Sequence, residues 1–220
     1  MKQEKVPLSA TKLGIYLIGM IVLALGIVLN TKIQLGVSPI ISVPYSIATI
    51  WGLNLGNTTF VFYIGCILLQ ILLLRKKFQP VQLLQVVVSL ITSQFINLFD
   101  WLLDIQPQNF TQKLLVLAAA IIVTAIGAAT MVMMELAPNP ADALAKVFGD
   151  LTGRGLGFGK NIFDATCFVL SLAIGFVFAG KIVGIGLGTV CAVIFVGRCI
   201  AVYNHFCREP LRKMAGFPVK

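Results

Sequence analysis

Leu114-Leu115-Val116-Leu117-Ala118-Ala119-Ala120-Ile121-Ile122-Val123 is an unbroken apolar run, and Ile21-Val22-Leu23-Ala24-Leu25-Gly26-Ile27-Val28-Leu29 is another. A strand of a membrane barrel alternates apolar and polar residues. A continuous run hides its backbone in hydrocarbon only as a helix, whose hydrogen bonds close within the segment. A span needs roughly 20 mostly apolar residues, because about 30 Å of hydrocarbon is divided by a rise of about 1.5 Å per residue. Working outward from the two runs, six stretches qualify: Leu13–Ile33, Thr59–Leu74, Leu83–Leu103, Leu114–Met134, Asn161–Ala179 and Ile182–Tyr203.

Composition agrees. Of 220 residues, 58% are hydrophobic and 11% charged, a balance that a domain with one buried core could not carry without large exposed apolar patches. The expected fold is an all-α integral membrane bundle of six spans, residues 1–220 forming a single membrane domain. Lys2, Lys5 and Lys12 precede a first run longer than the apolar core of a signal peptide, and no small-x-small cleavage site follows, so this run is expected to remain as a span.

The net charge of +9 does not form a basic stripe interleaved with aromatics, so no nucleic-acid partner is expected. It reads as topology. With both termini inside, Lys2, Lys5, Lys12, Arg75, Lys76, Lys77, Lys146, Arg154, Lys160, Arg198, Arg208, Arg212, Lys213 and Lys220 fall on the cytoplasmic side, leaving Lys32, Lys113 and Lys181 outside. Asp100 and Asp104 mark the outer connection between spans three and four. The five cysteines lack metal-ligand spacing, and the single histidine, His205, argues against zinc or di-iron chemistry. No metal, no cofactor and no catalytic residue is expected.

Sliding the chain on itself by 101 residues superimposes Ala24 on Ala125, Gly26 on Gly127, Leu35 on Leu136, Pro39 on Pro140 and Gly52 on Gly153. The same register continues through Leu55 and Leu156, Gly56 and Gly157, Phe62 and Phe163, Cys66 and Cys167, and Leu69 and Leu170. Matching glycines and prolines mark matching backbone positions. Residues 12–104 and 113–205 are therefore read as two halves of three spans each, with 206–220 a cytoplasmic tail. Three is odd, so the second half enters from the opposite side and the repeats are inverted, a plan common among transporters.

After the first span of each half comes a shorter segment. Ser38 precedes Pro39, and Asn139 precedes Pro140: a side-chain acceptor at the N-cap, then proline at the first helical position. In the second segment Asp142, Lys146 and Asp150 recur on one face opposite Leu144, Val147, Phe148 and Leu151, an amphipathic helix. Two readings stay open, a helix in the headgroup plane and a re-entrant half-helix whose N-terminal amides and Asn139 face a watery cavity. Asn139-Pro140-Ala141 is similar to the aquaporin signature, but its place after the first span does not fit that family.

Asp164 lies within Ile162–Leu170, where a charge costs several kcal/mol unless paired or hydrated, with Lys160 one turn earlier or Arg198 as partner. Gln85, Ser89, Thr92, Ser93 and Asn97 share a broad inward face of the third span. Gly180, Gly184, Gly188 and Ala192 are spaced by four and are expected to form a close-packing face of the last span. The glycine-rich run 153–160 lacks the spacing of a phosphate loop and reads as a flexible span entry.

Leu35-Gly36-Val37-Ser38-Pro39, Gly52–Gly56 and Pro140-Ala141-Asp142 with Asp164 resemble the YitT/YczE-type bacterial multi-pass membrane proteins, closest to the YczE-like branch. The resemblance implies a bacterial inner-membrane protein and no established substrate. Two functions are expected to compete. The first is a transporter for a small polar or charged solute, bound by Asn97, Asn139, Asp142, Lys146, Asp164 and Arg198. The second is a non-transporting subunit or scaffold, such as the substrate-binding component of a larger importer. The first span lacks the small-xxx-small alanine stripe that such components often use to dock, Ala24 being its one alanine. Lipid is the certain partner under either reading, with a homo-oligomer or partner subunit left open.

Overall fold

A computed structural model describes residues 9–218. Eight α-helices run in the order α1 (Ala10–Lys32), α2 (Pro39–Trp51), α3 (Leu55–Leu74), α4 (Leu84–Leu102), α5 (Phe110–Met133), α6 (Pro140–Thr152), α7 (Gly155–Ala179) and α8 (Leu187–Met214). Two 3₁₀ turns, Arg75–Lys77 and Pro80–Leu83, link α3 to α4. No strand occurs among the described residues. Six helices, all but α2 and α6, are long and apolar enough to cross a membrane.

Local chemistry accounts for the boundaries. Ser9, Asn54, Asn109 and Asn139 each accept a backbone N–H of the helix they precede, replacing a missing intrahelical partner. Ser38 differs from expectation: α2 starts at Pro39 as read, but the Ser38 side chain makes no cap bond. Gly52 and Gly153 end α2 and α6 in the left-handed region, at φ 62° and 67°. Gln34 and Glu135, also 101 apart, share positive φ values of 55° and 50°. The short helices span 13 residues each, at an offset of 101.

The centre is the crossing of α1 and α5. A Cβ at Gly26 would fall well inside 3.0 Å of Thr124, and one at Gly127 would fall equally close to Leu23, while Gly19 meets Met131 at 3.1 Å. As numbers rise along α1 they fall along α5, so the two helices pack antiparallel. Leu23 and Thr124 stand in the same 101-residue relation as Gly26 and Gly127, which makes the contact self-complementary. Around it, α1 packs on α4 and α5 on α8, α2 packs on α3 and α7, and α6 packs on α7 and α3. One difference stands out. α3 packs along α4, whereas α7 and α8 do not pack along each other.

Lys12 near the start of α1 and Phe217 after α8 meet at one end of the bundle, where Lys12 Nζ and the Arg212 guanidinium lie over the Phe217 ring at 4.7 and 4.1 Å. Lys2, Lys5 and Lys220 lie outside the described residues. Residues 206–214, read as tail, continue α8. The glycine stripe is corrected: Gly180 and Gly184 have φ of 63° and 75° and precede α8, which begins at Leu187. The close approach they permit is real but has another target. Val37 N–H donates to Gly184 O at 2.9 Å, Gly188 N–H donates to Leu35 O at 2.6 Å, and Ser46 and Ser171 share a 2.8 Å bond beneath this strap.

The α1–α5 crossing makes a direct prediction. Gly26→Leu or Gly127→Leu forces two backbones apart and is expected to cost more than about 2 kcal/mol. Gly14→Leu, with nothing within 4 Å of its Cβ, is expected to be neutral. Thermal denaturation of the detergent-purified variants reads the difference.

Candidate functional site

The N-terminus of α6 is seated on α3. Asn139 Nδ2 donates to Tyr63 Oη at 3.1 Å, and Asn139 Oδ1 caps Ala141 N–H at 3.0 Å. Gln70 Nε2 donates to Pro140 O at 3.1 Å, and Gln70 and Gln85 exchange amide bonds at 3.1 and 3.2 Å. Tyr63 is the ninth and Gln70 the sixteenth of the 20 residues of α3, so α6 begins beside the second half of that helix. α2 lies along the second half of α7, with Ser42 O and Ser46 on Ser171 and Trp51 against Phe178.

Asp142, on the first turn of α6, faces Lys160 of α7 with Nζ–Oδ1 at 3.4 Å. The same Lys160 lies 3.7 Å from Asp164 Oδ1, one turn on. Lys160 and Asp164 are five and nine residues into α7, about 7 to 14 Å along its axis. The ammonium thus serves two carboxylates and leaves one excess negative charge. Asp142 and Lys160 side chains are 44% and 45% exposed, while Asp164 is 19% exposed and its Oδ1 is buried without a hydrogen bond. A cavity of about 120 Å³ bounded by Leu23, Met131, Glu135, Asn139 and Asp142 adjoins the cluster from the α1–α5 side. Gly149 and Gly159 bring α6 and α7 within backbone contact and hold the charged turns at this spacing. Within the glycine-rich run it is Gly155 and Gly159 that meet α6, whereas a Cβ at Gly153 or Gly157 would meet nothing within 4 Å.

The sequence-selected residues divide. Asn139, Asp142 and Asp164 come together with Lys160. Asn139 is nearly fully buried and its amide is engaged by Tyr63 and Ala141, so it positions α6 and does not present its amide to open water. Lys146 is exposed and makes no ion pair among the described residues. Arg198 is exposed on α8 and folds back on the Ile194 carbonyl rather than pairing with Asp164. Asn97 sits elsewhere, accepting Gly56 N–H at 2.8 Å and donating to Asn57 Oδ1 at 2.9 Å, and so joins α4 to the start of α3. Gln85, Ser89, Thr92 and Ser93 are buried as expected, but the Gln70 and Tyr63 partners escaped the sequence reading.

These features can be set beside known proteins. The family described as "Family of unknown function (DUF6198)" matches residues 10–205. "Uncharacterized protein YyaS" of Bacillus subtilis (strain 168) is 27% identical over 204 residues, covering 90% of this chain and 96% of that one. No solved structure matches.

The buried amide pair yields a second prediction. Gln70→Leu alone strands the Gln85 amide and is expected to cost about 1–3 kcal/mol, as is Gln85→Leu, whereas the double variant loses less than the sum. A double-mutant cycle on thermal stability measures the coupling.

Proposed function

Because the chain belongs to DUF6198, a family of unknown function, its activity has to be argued from its own geometry, and we propose that it is a membrane transporter for a small polar or charged solute. The observation that carries this reading is the Asp142–Lys160–Asp164 cluster, set at the start of a short helix that begins beside the second half of α3. Within a bilayer, two carboxylates against one ammonium cost several kcal/mol unless water, a proton or a cationic group balances them. Such an imbalance is of use where a charge is bound and released. Asp142 and Asp164 are the solute or proton contacts, Lys160 is the balancing charge, and Asn139 is the positioning residue.

In this reading the six long helices span a bacterial plasma membrane with both termini cytoplasmic. The two halves are inverted, and α2 and α6 are re-entrant. The matched 13-residue short helices, the paired φ values and the self-complementary α1–α5 crossing support the inversion. The short helices seat along the sides of α3 and α7, through Asn139–Tyr63 and Ser46–Ser171 and short of those helices' ends, which favours re-entry over a headgroup-plane helix. The likeness to YitT/YczE-type proteins rests on short motifs alone: Leu35–Pro39, Gly52–Gly56 and Pro140–Asp142 with Asp164.

The subunit reading draws on a different observation. α8 is the least buried of the long helices, does not pack along α7 and exposes Arg198, an arrangement that a partner helix or second copy would cover.

Thermal stability of the detergent-purified protein across a metabolite library separates the two. A ligand at 100 times its dissociation constant adds about 2.7 kcal/mol to native stability. The expected result is a hit abolished by Asp164→Asn and by Lys160→Gln and retained by Lys146→Gln and Arg198→Gln. A well-folded protein that gives no hit requiring Asp142, Lys160 and Asp164 contradicts the transporter reading.

A further inference from the structure

At the end of the bundle opposite Lys12 and Phe217 lies a cavity of about 580 Å³, within the usual range of about 300–1,000 Å³ for small-molecule sites. Its wall is made by the end of α1, one face of α2, the 103–109 connection and the first turn of α5, and its lining is polar. Four charged side chains border it: Lys32, Asp100, Asp104 and Lys113. Two of them neutralise each other, since Lys32 Nζ lies 2.7 Å from Asp100 Oδ1 and 2.8 Å from the Asp100 carbonyl. The others do not. Asp104 accepts only the Gln106 amide, at 2.7 Å, and neither Asp104 nor Lys113 makes an ion pair among the described residues.

The wall is also held in shape before any ligand arrives. Gln108 Nε2 donates to Gln106 O at 3.0 Å, Gln112 Oε1 accepts Gln108 N–H at 2.8 Å, and Asn109 caps α5. Gln34 borders the cavity with a φ of 55°, a conformation that non-glycine residues adopt rarely and at some cost.

From these observations we propose that the cavity is a binding site for a small zwitterion, its anionic group on Lys113 and its ammonium on Asp104. Both charges line one cavity, so a purely anionic ligand on Lys113 leaves Asp104 without a partner and a purely cationic one on Asp104 leaves Lys113 without one. A ligand carrying both charges finds a partner for each. The same pair of charges exists on free amino acids and on the phosphoethanolamine headgroup of a lipid. The site is distinct from the Asp142–Lys160–Asp164 cluster and does not depend on transport.

The test is calorimetric titration of the full chain with glycine, β-alanine and γ-aminobutyrate, a series of increasing charge separation, beside acetate and methylamine. A parallel arm uses lipid nanodiscs with and without phosphatidylethanolamine. One zwitterion of the series is expected to bind in lipid-free detergent while acetate and methylamine do not. Lys113→Gln and Asp104→Asn should each weaken it by about ten-fold or more, and Lys113→Arg and Asp164→Asn should leave it intact. Stabilisation by phosphatidylethanolamine alone, lost in the same two variants, assigns the site to the headgroup. Absence of both responses in a monodisperse protein overturns the proposal. So does binding that survives Lys113→Gln and Asp104→Asn, and binding lost in Asp164→Asn instead points to the other site.

Discussion

The glycine contact between α1 and α5 sets the terms for everything around it. Apolar side chains gain little by leaving lipid for one another, so helices in a bilayer hold together by close packing, and small residues are what permit it. Gly26 receives the backbone at Thr124 and Gly127 receives the backbone at Leu23, which lets the two most buried spans run antiparallel at near-backbone contact. The chain leaving α1 and the chain leaving α5 therefore emerge at opposite ends. Each turns back through a residue of positive φ, Gln34 or Glu135, into a proline-initiated short helix. Each short helix then seats on a long helix of the other half, α2 on α7 and α6 on α3.

Polar chemistry collects where these seats are made. On one side the seat is neutral, a knot of Ser42, Ser46 and Ser171 around the Val183 carbonyl. On the other it carries the Asn139–Tyr63 and Gln70–Gln85 bonds and, facing α7, the Asp142–Lys160–Asp164 cluster. Two like seats with unlike chemistry mean that the scaffold does not require the charges. Their cost is localised to one half, and the missing α7–α8 packing lies in that half too. Asn97 closes the equivalent α3–α4 junction by bonding Gly56, whereas nothing comes within 4 Å of a Cβ at Gly157.

Much of this could be read from the residues because the signals are local. Continuous apolar runs located the long helices, and Asn139-Pro140 located the start of α6 to the residue, since an acceptor followed by proline fits one backbone geometry. Asp164 with Lys160 was legible as an i,i+4 pair. The second bond of Lys160, to Asp142, was not, because it depends on the α6–α7 crossing that Gly149 and Gly159 allow. Gln70 and Gln85 lie 15 residues apart on separate helices, and their exchange of bonds follows only from how α3 meets α4. Spacing by four misassigned Gly180 and Gly184 to α8, since periodicity does not reveal which glycines bend the chain. Arg198 reads as the alternative partner of Asp164 on the strength of its charge, but its side chain is exposed and bonded to its own helix.

The proposed re-entry of α6 would carry its charges from one membrane surface into the bilayer. It is tested most directly by spin labels at positions 150, 146 and 142, placed one at a time in a variant whose five cysteines are alanine, in lipid nanodiscs. Eight residues of helix amount to about 12 Å. The account predicts that label depth increases from Asp150 to Asp142 by on the order of 10 Å, with water-soluble relaxation agents still reaching position 142. Three labels at one shared depth in the headgroup region would contradict it.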